Sequence, residues 1–281
     1  MKAEKLYAQL ERDFVKPGLS DEWFGMEDYG DFLSENFKDR AIGVVCDNAE
    51  KVEKVYSAVF PEDEIMQKIL DNGEKNAMLF LHHPLNWDIR KAPAVFSAPK
   101  KKYLEEFKKR NISIYVLHVP LDNYGEYSTS NTLADAVGIK SKKAFAKYFG
   151  SLAGVVGHSK FGSLDELKKS FEKAVGHEVS LYKYGKDILD GKIAFVGGGG
   201  NDLSILEEAV AEGASVLVTG ITAKNAHSKE AHDYAKSKGI SILGGTHYST
   251  EKFACKKMCG YFEGLGLKSE FVSGKPVMED M

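Results

Sequence analysis

The stretch NAMLFLHHPL (76–85), continued by YLEEFKKRNISIYVLHVPLD (103–122), decides the fold. Two strand-length apolar runs, NAMLFL (76–81) and ISIYVL (112–117), flank a basic amphipathic helix. Continuous apolar runs separated by helical periodicity mark parallel or mixed strands buried on both faces. The alternation continues outward in AIGVVC (41–46), KIAFVG (192–197), SVLVTG (215–220) and ISILGG (240–245). Between these runs, apolar residues recur at helical spacing. Val52, Val55, Tyr56 and Val59 predict a helix over 49–60, and Leu203, Leu206, Ala209 and Val210 predict another. Gly213 and Gly239 stop helices just ahead of the next strand. The chain therefore reads as α/β.

The two ends of the chain echo each other. NAMLFL ends at His82 and His83, and ISIYVL at His118 and, past Pro120, at Asp122. SVLVTG leads to His227 and the helix AHDYAKSKG, and ISILGG ends at His247 and then Glu251. This pattern suggests a duplicated strand–helix–strand unit. Three segments follow: an N-terminal α/β half (1–138), a small α+β insert (139–190) and a C-terminal α/β half (191–281). The insert contains the strands GVVGHSKF and HEVSLYKYG and a helix opened by Ser163, with Glu166 three residues on as a capping box. No low-complexity linker intervenes, so the two halves are expected to pack together with a ligand site in the cleft between them.

With 281 residues, 43% of them apolar and 28% charged, the chain can bury a sizeable core, which excludes a disulfide miniprotein or a disordered segment. A net charge of −3 supplies no whole-molecule field for nucleic acid or an anionic membrane, and neither is an expected partner. The opening MKAEKLYAQLERDF reads as an amphipathic helix without a signal-type apolar core, so the expected location is cytoplasmic. Cys46, Cys255 and Cys259 do not form a disulfide framework, and the last two lie on the apolar stripe of a helix as buried thiols.

In α/β sheets, ligands bind beyond the carboxyl ends of strands, where His82, His83, Asp122, His247 and Glu251 fall. Pro84 holds His83 extended, and neighbouring side chains on extended chain point to opposite sides, so each imidazole suits one ion of a pair. Asp122 adds a hard oxygen. Glu251 opens a helix capped by Ser249 or Thr250. Mixed nitrogen and oxygen donors suit zinc, manganese, iron or cobalt, with a bridging carboxylate and water completing two coordination shells. Each histidine taken alone reads more readily as a hydrogen-bonded core or surface residue; the adjacent pair at a strand end and the HxxxE spacing at another favour ligation. The loop FVGGGGND (195–202) reads as a tight turn, or as a phosphate cradle if its amides are free. The run PKKKYLEEFKKR (99–110) reads as a solvated helix face, and Asp47 as a turn residue or a cleft residue.

HHPL (82–85), HVPLD (118–122), FVGGGG (195–200), TG (219–220) and GTHYSTE (245–251) together resemble the YbgI-like dinuclear-metal family, often labelled GTP cyclohydrolase 1 type 2 homologs. The resemblance implies two divalent ions per chain, with His83 and Asp122 on one, His82 and His247 on the other, and Glu251 bridging. It implies further roles near the site for His118 and His227, as proton carriers or substrate contacts, and assembly into a homohexameric ring. The implied function is a metal-dependent hydrolase acting on a nucleotide or cyclic-amide type of small molecule. The alternative is a non-catalytic metal-binding regulatory or interaction protein. The family's N-terminal W-D-N-x-G-L motif is not recognisable in SDEWFGMEDYGDFLSENF (20–37), which leaves that segment without an assigned contact.

Overall fold

Parallel strand pairing organises the two larger sheets among the described residues. The structure, a computed structural model, describes residues 1–158, 161–187, 191–226 and 228–281. By Cα packing it forms two units, Met1–Leu121 with Cys255–Lys275, and Asp122–Ala254 with Pro276–Met281.

The first unit opens with α1 (Ala3–Phe14), which buries Ala3, Leu6 and Leu10 on one stripe, as expected of an amphipathic helix. There follow α2 (Glu35–Arg40), capped by Ser34, then β1 (Gly43–Cys46), β2 (Lys54–Ala58), α3 (Asp63–Asp71) and β3 (Ala77–Leu81). A ribbon of β4 (Asn86–Trp87) with β5 (Phe96–Ser97) leads to α4 (Lys101–Lys109) and β6 (Ile112–Val116). In the main sheet β2, β3 and β6 run parallel, and β1 pairs antiparallel with β6. The register sets Ala58 beside Leu81 and Leu81 beside Val116, so the strands end level and the residues after them emerge at one edge.

The helix expected over 49–60 is not formed, because Lys54–Ala58 is strand β2. Val55 and Tyr56 are buried as the helical spacing required, but Ser57 and Ala58 are also fully buried. A helix with one apolar face would turn those residues to solvent, whereas a central strand covered on both sides hides all of them.

The short α5 (Val119–Asp122) ends the first stretch of the first unit, and the second unit holds α6 (Thr129–Val137), β7 (Lys140–Tyr148), β8 (Ser151–His158), α7 (Leu164–Val175) and β9 (Ser180–Tyr182). Then come β10 (Lys192–Val196), α8 (Leu203–Ala211), β11 (Val216–Thr219), α9 (Lys229–Lys238), β12 (Ser241–Gly244) and α10 (His247–Gly264), which belongs to the second unit as far as Ala254 and to the first from Cys255. The sheet order is β7-β8-β10-β11-β12-β9, with β10, β11 and β12 parallel. Strands from 139–190 therefore share one sheet with those of 191–281. Period-two alternation sorts its side chains: Ile193, Phe195, Val216, Val218 and Leu243 pack with α6 and α7, and Ala194, Val196, Leu217 and Ile242 pack with α8 and α9. Ser163 caps α7 by accepting the Glu166 N–H at 3.2 Å, and Glu166 accepts the Gly162 N–H at 2.9 Å, close to the expected capping box. The last strand, β13 (Lys268–Phe271), returns to the first unit and pairs parallel with β2.

Both β3–α4–β6 and β11–α9–β12 are parallel strand–helix–strand units, matching the echo in the sequence. Among the described residues no helix is long and apolar enough to cross a membrane.

Candidate metal centre

The level strand ends of the first unit gather three imidazoles. His82 N–H donates to Ala58 O at 3.3 Å, and His83 N–H donates to Val59 O at 2.9 Å. Regular strands send successive amides to opposite sides, so two consecutive bonds to one neighbour mean that the chain leaves the pleat at His82. Both rings consequently lie together, centroids 4.4 Å apart, and do not diverge as an ideal extended chain would have them. His118, two residues beyond β6, completes the group. One candidate ligand atom from each of His82, His83 and His118 lies within 4.8 Å of the others, and all three side chains are buried.

Their orientation is set from behind. His82 Nδ1 lies 3.0 Å from Leu117 O, and His118 Nδ1 lies 3.0 Å from Asp21 Oδ2. A carbonyl and a carboxylate only accept, so both Nδ1 atoms donate, which in a neutral ring leaves the lone pair on Nε2. His83 stacks on Phe60 at 4.7 Å, and Trp23 stands edge-on to His83 at 5.6 Å and packs against His118 at 4.8 Å. Anchored imidazoles in an apolar wall are, in their neutral form, the donor set that zinc, iron and related ions take.

The second unit carries the carboxylates. Its α10 begins at His247, earlier than the caps expected at Ser249 or Thr250. Thr246 Oγ1 accepts the Ser249 N–H at 3.1 Å, and the buried carboxylate of Asp280 accepts the His247 N–H at 2.8 Å. Starting there, the helix sets His247 and Glu251 one turn apart, with Nε2 and Oε1 separated by 3.3 Å.

Packed against them is the glycine loop. A Cβ on Gly198 would fall 2.3 Å from Glu251 Oε1 and 3.0 Å from His247 Nε2. Three of the loop's amides hold it in place: Gly197 donates to Ser130 Oγ, Gly198 to Thr250 Oγ1 and Gly200 to Thr219 Oγ1, at 3.0, 3.0 and 2.8 Å. Asp122 is buried and accepts from Thr129 Oγ1 at 2.6 Å, and Thr129 Cβ would lie 3.2 Å from a Cβ on Gly197.

Of the residues singled out in the sequence, the first unit thus holds His82, His83 and His118, and the second Asp122, His247 and Glu251. His227 lies outside the described residues. His232 is a packing residue, bonded to Tyr184 Oη at 2.9 Å and Thr222 O at 3.0 Å. The basic helix α4 buries Tyr103, Leu104 and Phe107 and pairs Lys109 with Glu106, as a solvated face does. Asp21, Trp23, Thr129 and Asp280 were not identified from the sequence. They touch the candidate ligands without sharing a motif with them, and Asp21 and Trp23 come from the segment left unassigned.

Comparison with known proteins agrees with the fold. A GTP cyclohydrolase 1 type 2 homolog of Borreliella burgdorferi is 29% identical over 213 residues, covering 76% of this chain and 79% of the relative. The solved structure of reduced HcgD from Methanocaldococcus jannaschii superposes with a TM-score of 0.69 at 26% identity, over 98% of each chain. Protein ybgI, of unknown function, superposes at 0.76 with 18% identity over 98% of this chain and all of that one, a likeness of fold. The sequence profile of one family matches residues 22–274, nearly the whole chain, and the protein belongs to that family, Duf34/NIF3 (NGG1p interacting factor 3).

Proposed function

We propose that this chain binds two divalent cations through His82, His83, Asp122, His247 and Glu251 and uses them in hydrolysis of a nucleotide or cyclic-amide type of small molecule. The observation that carries the reading is the buried group His82, His83 and His118, with a ligand atom from each within 4.8 Å of the others. Ligands about 2.1 Å from one ion lie at most about 4.2 Å apart, so atoms within 4.8 Å of one another reach a shared ion after a small side-chain movement. The paired His247 and Glu251, and the sequence motifs that carry them, extend the donor set. Bound divalent cations supply Lewis acidity, which polarises an electrophile and acidifies water at neutral pH.

The protein's own residues hold and move protons around that chemistry. His118, tied through Nδ1, presents an imidazole that can take a proton or return it; His227 is a second candidate for this role. Trp23 and Phe60 line the imidazoles with apolar surface, which limits water and strengthens electrostatic interactions there. The relatives named GTP cyclohydrolase 1 type 2 homologs make purine ring opening the first reaction to assay. A homohexameric assembly and a cytoplasmic location belong to the same reading.

Metal analysis of the purified full chain and of His83→Ala and Glu251→Ala tests it. Wild type is expected to hold about two ions per chain and both variants fewer. Full occupancy in the variants overturns the ligand assignment. Metal-loaded protein is then screened against nucleotides, phosphoesters and cyclic amides. Turnover absent from both variants supports the hydrolase, and full loading without turnover favours a non-catalytic metal-binding role.

A further inference from the structure

We propose that Asp21 is a positioning residue for His118, fixing the Nδ1–H tautomer and so dedicating Nε2 to the imidazole cluster. The inference rests on the metal-centre reading only for what Nε2 then does. Asp21 Oδ2 and Oδ1 lie 3.0 and 3.2 Å from His118 Nδ1, and Oδ2 also accepts the Val119 N–H at 3.4 Å. One carboxylate thus holds both the ring and the backbone that follows it. Its side chain is 1% exposed, so water does not compete for these bonds.

The ring has little freedom to escape. Trp23, His83 and His82 surround it, with centroids 4.8, 4.8 and 5.2 Å away. Because a carboxylate cannot donate, the nitrogen facing it must carry the hydrogen, and in the neutral ring the opposite nitrogen then carries the lone pair. His82 is held in the same way, but by the neutral carbonyl of Leu117. A carboxylate brings a full negative charge to the ring and so favours the Nδ1–H form more strongly than a carbonyl does. Asp21 therefore makes His118 the more strongly fixed in tautomer of the two anchored imidazoles. It also gives a role to the N-terminal segment in which no motif is recognisable.

The test uses the full chain in which Asp21 is replaced by Ala or by the isosteric Asn, each checked for folding by circular dichroism. Ring nitrogen NMR of the metal-free protein, with the signal assigned through His118→Ala, reads the tautomer. Zn2+ affinity is read by competition with a chromophoric chelator. Wild type is expected as Nδ1–H. Asp21→Ala should shift the ring toward Nε2–H and weaken Zn2+ binding about 10- to 100-fold, with Asp21→Asn weaker in both effects. In a His118→Ala background Asp21→Ala should cost nothing further. An unchanged tautomer in Asp21→Ala, or losses that add fully to those of His118→Ala, overturns the proposal. If wild type binds no Zn2+, the metal-centre reading fails, while the tautomer still decides the role of Asp21.

Discussion

Glu251 Oε1 lies 3.3 Å from His247 Nε2 on one face of α10, and the backbone of Gly198 fills the space against both. The fit leaves no room for a side chain on the loop. Gly198 also has φ +68°, a left-handed conformation that costs an L-residue roughly 1–2 kcal/mol.

Gly198→Ala is therefore expected to lose stability by more than that backbone cost and to displace Glu251, lowering metal content. Gly176→Ala is the control: its φ is +86°, with no atom within 4 Å of the added Cβ. It should lose only about 1–2 kcal/mol in urea and keep its metal. Equal metal content in the two variants would show that the loop does not seat Glu251.

The start of α10 depends on a residue near the chain's end. Asp280 accepts the His247 N–H through Oδ2, while its backbone carbonyl accepts from Thr222 and Ala223 at 2.7 and 2.8 Å. Removing the carboxylate strands a buried donor at the first turn of the helix. Asp280→Ala should cost about 1–3 kcal/mol by urea denaturation, and Asp280→Asn, which keeps an acceptor, less. An Asp280→Ala protein as stable as wild type would show that this bond does not hold the helix.

Burial, helped by Glu64, pushes the Glu62 carboxyl up to about 7, against the opposing pull of the Lys275 backbone N–H. The unfolded chain releases this proton near the ordinary value of 4.5, so between there and about 7 the native state binds more protons. Stability from this group is therefore fully present below the lower value, and it falls as pH rises through the window. Glu62→Gln should be more stable than wild type at pH 8, by a margin that shrinks toward pH 5. A margin that does not change with pH would refute the assignment.

The thiols should be inert in the native protein. Burial pushes Cys46 up to about 12 and raises Cys259, and buried Cys255 donates to Ala58 O at 3.3 Å. Thiolate is the reactive form, so an aromatic disulfide reagent at pH 8 should label the native chain slowly and the urea-unfolded chain at once. Rapid labelling of native Cys46 would contradict its burial.

Much of the fold was legible because central strands covered on both faces must be continuously apolar, and the runs ending at Leu81, Val116, Val196, Thr219 and Gly244 are. The helix cap at Ser163 is a hydrogen bond between near neighbours in the chain and was readable from them. Strand β2 was misread because Val52, Val55, Tyr56 and Val59 satisfy helical spacing, and only its neighbours in the sheet reveal that Ser57 and Ala58 are hidden too. Strand β13, KSEF, is half-exposed and polar, and its pairing with β2 comes from chain folding back, with no apolar run to announce it.

The sequence by itself determined the α/β alternation and the candidate ligands, since strand ends, adjacent histidines and a His-to-Glu spacing of one helical turn are local properties. Only the tertiary structure decided how those ligands are held. Asp21 meets His118 across 97 positions of chain, and Asp280 meets His247 across 33. The bend that brings the rings of His82 and His83 together comes from bonds to the neighbouring strand β2 and the residue after it. Contacts of this kind depend on which distant segments the packed core brings into reach, and a polar residue far along the chain carries no periodic signal of the partner it will find.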